Sequence, residues 1–139
     1  MPFREKMAWI TIAAHAVVFG GYFWILAQAW DDRYGLGLSL GLMIGAVVCL
    51  VILMVASAIA VALLSPKEAN APADERERII SLKAERIASY VLSVLVICLI
   101  GALLMSWNGL LVANLLLGAM VIAEMTKAGA QIAYYRTGV

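Results

Sequence analysis

The chain has 139 residues, of which 65% are hydrophobic and 14% charged, with a mean hydropathy of +0.97. Soluble domains average about 45–50% apolar and about 25% charged residues, and a body this small cannot hide the surplus from water. These figures exclude a soluble globular enzyme and a disordered tail, and the net charge of +1 excludes a strongly basic nucleic-acid binder. The class that remains is an integral membrane protein, with length for three to five spans of about 20 residues each.

The first apolar stretch covers residues 7–30, after Phe3-Arg4-Glu5-Lys6 and before Asp31-Asp32-Arg33. Ala27-Gln28-Ala29 resembles a signal-peptidase site, but the stretch is longer than the usual apolar core of about 7–15 residues and rich in aromatics, so an uncleaved helix is expected. The second run, residues 35–64, is 30 residues without a charge. As a helix it would measure about 45 Å, more than a hydrocarbon core of about 30 Å, so it must tilt or project. Ser65-Pro66 ends it.

Residues 67–86 form the one long polar segment. Asp74 reads as a helix cap with Glu77 at capping-box spacing, and Glu75 and Glu77 suit the positive end of the helix dipole. No Pro or Gly follows until Gly101, so one helix is expected to leave the cytoplasm at residues 75–86 and continue as a third span at 87–106. Ser106-Trp107-Asn108-Gly109 reads as a turn, and a fourth span follows at 110–128, with Tyr134-Tyr135-Arg136 at interface depth.

Lys and Arg set the orientation. With both termini inside, Arg4, Lys6, Lys67, Arg76, Arg78, Lys83, Arg86, Lys127 and Arg136 are cytoplasmic and only Arg33 is outside. That asymmetry follows the positive-inside rule. The sequence predicts an all-α four-helix transmembrane bundle of two antiparallel hairpins in a single domain, N-in and C-in, in a bacterial inner membrane.

Gly37, Gly41 and Gly45 form a GxxxGxxxG stripe in the second span. Four-residue spacing places them on one face, where a neighbouring backbone can approach closely. Packing inside the bundle is the first reading, homodimerisation the second, and a pore or lipid lining the third. Ala16 with Gly20 and Ala119 with Ala123 are lesser pairs of the same kind.

His15, Asn114 and Glu124 are the polar groups at membrane depth, where such groups are costly and often functional. A His15–Glu124 pair would satisfy both and suit a proton relay. The plainer reading pairs Glu124 with Lys127 at i+3, bonds His15 to a backbone carbonyl, and makes Asn114 interhelical glue. One His, and Cys49 and Cys98 outside any CxxC pair, give no metal, haem or disulfide pattern, so no cofactor is expected. HExxH, GxSxG and P-loop patterns are absent from the chain, and no enzyme activity is expected.

In the segment at 74–86, acids and bases nearly cancel, which argues against a polybasic lipid switch. Asp74–Arg78 and Glu75–Arg78 have intrahelical ion-pair spacing. Ile79, Leu82 and Arg86 share a face; a solvated charged helix is the first reading of the segment, and packing of Ile79 and Leu82 on the second span or on a partner is the sharper one. Asp74, Glu75, Arg76, Arg78, Lys83 and Arg86 are the candidate docking residues.

Asp74-Glu75-Arg76-Glu77-Arg78-Ile79-Ile80, then Lys83-Ala84-Glu85-Arg86-Ile87-Ala88 and a span, resembles a group of small bacterial membrane proteins of unknown function that carry a juxtamembrane Asp-Glu-Arg motif and end in a pattern like Tyr134-Tyr135-Arg136. The likeness covers roughly residues 74–138, and Thr137 stands where a second Arg is frequent in the group. The resemblance implies three or four spans and partnership with small helix-turn-helix regulators, and it implies no catalytic residue. Small multidrug transporters are similar in size, but their first span carries a Glu where this chain has His15 and no acid. The expected role is a non-enzymatic regulatory or scaffolding membrane protein, in contact with membrane lipids and with a cytoplasmic regulator or a larger membrane complex, without direct nucleic-acid contact. The alternatives are a small proton-linked transporter or channel, and a lipid- or quinone-binding accessory subunit.

Overall fold

The computed structural model describes residues 3–28, 36–64, 66 and 74–137. Among these are four long helices: α1 (Phe3–Gln28), α2 (Leu36–Leu64), α3 (Glu75–Leu104) and α4 (Gly109–Thr137). Each is long and apolar enough to cross a membrane, and in each the backbone hydrogen bonds close within the helix, as lipid requires. Asp31-Asp32-Arg33, residues 67–73 and the surroundings of Gly37 lie outside the described residues.

The helices form a bundle centred on α1 and α4. α3 packs chiefly on α4, α4 also on α1, and α1 on α2. The central pair, α1 and α4, runs antiparallel, with Glu5 beside Arg136 at one end and Tyr22 beside Asn114 toward the other. The eight described Lys and Arg residues (Arg4, Lys6, Arg76, Arg78, Lys83, Arg86, Lys127, Arg136) all belong to the end where α1 and α3 begin and α4 finishes.

Two clusters make the apolar core. Phe19, Tyr22 and Val121 are buried with Phe23, Leu42, Met43 and Leu117 packed around them. Nearer the basic end, Ala8, Ala128 and Ile132 close the α1–α4 seam. Ala119 and Ala123 are also buried; by helical position they lie opposite Val121, on the face turned to α3. On α3, nearer the basic end, Ala84 and Ala88 are 0% and 8% exposed. Small residues dominate this seam because lipid supplies no hydrophobic drive between helices and close backbone approach must supply dispersion instead.

The glycine stripe of α2 does not serve this purpose inside the chain. A Cβ built on Gly41 or Gly45 would meet no atom within 4 Å, and the same holds for Gly20. Among the described glycines, Gly118 is the one whose missing side chain matters, because a Cβ there would lie 3.2 Å from the Phe23 ring. Expected packing of the bundle through Gly41 and Gly45 is therefore replaced by alanine contacts on α3 and α4.

The turn from α3 to α4 shows how its residues are used. Trp107 N–H donates to the Ala102 carbonyl (3.2 Å) and Ser106 N–H to the Leu103 carbonyl (3.0 Å), the Schellman pattern. Its left-handed position is filled by Ser106, at φ 64°, not by a glycine. Asn108 then caps α4, its Oδ1 accepting from the N–H groups of Leu110 at 2.8 Å and Leu111 at 3.4 Å.

Candidate functional site

At the basic end, α3 runs unbroken from the polar segment into its span. Asp74 stands at its N-cap and its Oδ1 accepts from Glu75 N–H at 2.7 Å. Glu77 does not reach back to complete a capping box; its carboxylate receives Arg4 Nε of α1 at 3.4 Å. The other ion pairs among the described residues also join different helices. Lys127 Nζ meets Glu85 Oε2 at 2.6 Å, and Arg136 Nε meets Glu5 Oε1 at 3.6 Å. The intrahelical pairing expected for Arg78 with Asp74 or Glu75 is not made; Asp74 and Arg78 are linked by backbone alone. Exposed pairs such as Arg4–Glu77 contribute about 0–1 kcal/mol each, so their effect is to set the angle of the α3 extension more than to stabilise it. Cations over rings add to this: Lys83 lies 5.8 Å from the Tyr134 ring and Arg136 5.5 Å from that of Trp9.

The extension buries one face. Ile80, Ala84 and Ala88, at i, i+4 and i+8, are almost fully covered. Ile79 and Leu82 lie on the other side, 44% and 68% exposed. They do not pack on α2, so that part of the sequence expectation is corrected: Ile80, one residue along, is the anchor. Asp74, Glu75, Arg76, Arg78, Lys83 and Arg86 are exposed around the outward face.

Between α1, α3 and α4 lies an open cleft of about 210 Å³, lined by Arg4, Met7, Ser81, Gln131 and Tyr135 among others. A second hollow of about 340 Å³ adjoins it and shares Arg4 and Ser81, with Arg78 and Leu82 on its far wall.

Toward the opposite end, three helices meet at one amide. Tyr22 of α1 donates to Asn114 Oδ1. Asn114 Nδ2 donates to Ser39 Oγ of α2 at 3.2 Å and to the Leu110 carbonyl at 2.7 Å. Tyr22, Ser39 and Asn114 are all buried. Asn114 is legible in the sequence, but Tyr22 and Ser39 as its partners are not. Depth is the signal that points to them: counted from the helix ends on that side, the three residues lie within about 5–9 Å.

The other polar groups at membrane depth are not brought together. His15 is buried, its Nδ1 2.8 Å from the Thr11 carbonyl and its ring 5.9 Å from that of Phe19. Glu124 is exposed, and no hydrogen bond or ion pair joins it to His15 or to Lys127, whose ammonium is held by Glu85. Cys49 and Cys98 are free and exposed on the apolar surface. Among the described residues no group of three or more His, Cys, Asp or Glu side chains is placed to hold a metal.

These features define a multi-pass, four-helix membrane protein with a basic, ion-paired end and a buried polar knot toward the other. Compared with known proteins, the chain matches no family model, no curated protein and no solved structure.

Proposed function

We propose that this chain is a small non-enzymatic protein of the bacterial inner membrane that regulates or scaffolds, and that the outward face of the α3 extension is its docking surface. The observation that carries this reading is the division of that extension into two faces. Ile80, Ala84 and Ala88 fix it to the bundle, while Ile79 and Leu82 stay exposed amid Arg78 and Arg86. A helix held on one side presents apolar and charged groups in a fixed register, the arrangement by which helix faces are recognised. The clustering of basic residues at this end supports a cytoplasmic placement. The partner is a cytoplasmic regulator, of the kind that the likeness at residues 74–138 implies, or a larger membrane complex.

The test is a photo-crosslinking residue at Ile79 in intact cells, with Ile97 on the apolar surface as control. A discrete protein adduct at Ile79 that is lost in Arg76→Glu/Arg86→Glu, with membrane insertion intact, is the expected result. Lipid adducts alone at both positions would refute the proposal.

Self-association through α2 belongs to the same reading, supported by the open space in front of Gly41 and Gly45. A proton-linked transporter would need His15, Asn114 and Glu124 on one path, and the contacts of His15 and Asn114 run to other residues.

A further inference from the structure

The cleft at the basic end has features that a helix-packing defect would not need. Its walls are amphipathic: Met7, Ala8 and Leu82 on the apolar side, Arg4, Arg78, Ser81 and Gln131 on the polar side. Five other hydroxyls, those of Thr11, Ser57, Ser93, Thr126 and Thr137, are satisfied by the carbonyl four residues back in their own helix. The Ser81 hydroxyl and the Gln131 amide have no such bond among the described residues, and both line the cleft. Of the acids nearby, Glu77 holds Arg4 and Glu5 holds Arg136, and Asp74 and Glu75 line neither hollow. Arg78, by contrast, pairs with no carboxylate among the described residues. The cleft thus offers donors, and net positive charge, to something not in the chain.

Its depth says what that is. The uncharged part of α3 runs from Ile87 to Leu104, about 27 Å of helix, close to a hydrocarbon core of about 30 Å. Ser81 lies about 9 Å further out, at the level of the headgroups. α1 and α3 both pack on α4 but only weakly on each other, so the groove between them opens sideways. The larger hollow, about 340 Å³, is within the usual range of small-molecule clefts, about 300–1,000 Å³.

We propose that this cleft is a headgroup site for an anionic phospholipid, with the phosphate between Arg4 and Arg78, the Ser81 hydroxyl and Gln131 amide donating to phosphate or glycerol oxygens, and the acyl chains descending past Leu82. Arg4 then bridges Glu77 and the phosphate, as a guanidinium with five donors can. The site is one bound lipid and not the diffuse attraction of a polybasic segment.

Native mass spectrometry of the full chain, released from detergent mixed with phosphatidylglycerol or phosphatidylcholine, tests this. The wild type is expected to retain one phosphatidylglycerol per chain in clear preference to phosphatidylcholine. Arg78→Gln should lower that retention roughly fivefold and Arg4→Gln/Arg78→Gln by about twenty-five- to thirtyfold. Lys127→Gln, outside the cleft and outside the docking face, should leave it unchanged. Arg78 is exposed and outside the ion pairs, so its variant is expected to fold even where loss of Arg4 disturbs the bundle, and helicity by circular dichroism verifies this. Equal retention by wild type and Arg78→Gln, or equal retention of the two lipids, would overturn the proposal. Displacement of the lipid by millimolar inorganic phosphate would overturn its assignment to a lipid and leave a soluble phosphate site in its place.

Discussion

Replacing Asn114 by alanine removes the point where α1, α2 and α4 are tied together. Two interhelical partners are lost, Tyr22 and Ser39, along with the bond to the Leu110 carbonyl. Interhelical hydrogen bonds in membranes average about 0.6 kcal/mol and reach about 1.7, so the two bonds alone give about 1–3 kcal/mol. What is left behind decides where in that range the result falls. Ser39 is able to turn back to the Leu36 carbonyl, three residues earlier in its own helix. Tyr22 has no comparable option: its hydroxyl is buried, and the ring is pinned between Phe19 and Phe23 at centroid distances of 6.3 and 5.0 Å. An orphaned buried hydroxyl costs about 1–3 kcal/mol. Asn114→Ala is therefore expected to destabilise by about 2 kcal/mol. Tyr22→Phe should cost about 1 kcal/mol in the wild type and nothing, or less than nothing, in the Asn114→Ala background, since it then removes the orphan. Reversible unfolding in detergent micelles, followed by tryptophan fluorescence, measures all four corners of the cycle. A Tyr22→Phe cost that is the same in both backgrounds would refute the knot as a cooperative unit.

Ala84→Leu should destabilise by about 1–3 kcal/mol through overpacking of the α3–α4 seam, whereas Leu82→Ala, on the exposed side of the same helix, should stay within about 0.5 kcal/mol; the same unfolding assay compares them. Ser106→Gly should stabilise by up to about 1 kcal/mol, because Ser106 occupies the left-handed position that disfavours a Cβ. Gly118→Val should be destabilising, since its Cβ at 3.2 Å displaces the Phe23 ring, while Gly41→Val should leave monomer stability unchanged and weaken self-association by förster transfer between labelled chains in vesicles. Lys127→Gln should lose less stability as salt is raised only if the Lys127–Glu85 pair is reached by solvent, as the 58% exposure of the Glu85 side chain indicates.

Much of the architecture is legible residue by residue. The charge-free run of α2, the absence of helix breakers between Asp74 and Gly101, and the turn at Ser106-Trp107-Asn108-Gly109 each act locally, so each can be read from neighbouring letters. The face of α3 that anchors is harder. Ile79, Ile80 and Leu82 are chemically alike, and a one-residue difference in phase selects Ile80; the choice depends on where α4 sits. The glycine stripe misleads for a related reason. GxxxG permits close approach, but whether a helix comes is settled by competing surfaces, and here the alanines of α3 and α4 take the intramolecular contacts. Charge partners are least legible, because Arg4 and Glu77, or Glu5 and Arg136, are distant in sequence and become neighbours only when helices from separate hairpins align.

By itself the sequence determines that this is a four-helix membrane chain and where its basic end lies, because lipid and backbone hydrogen bonding act on every residue according to its own chemistry. The tertiary structure decides which groups at a given depth meet. It joins Asn114 to Tyr22 and Ser39, leaves His15 bonded to its own helix with Glu124 apart from it, and leaves Ser81 and Arg78 facing a cleft. Those outcomes depend on the rotation of each helix about its axis, which is set by packing against neighbours from elsewhere in the chain and by no local pattern of residues.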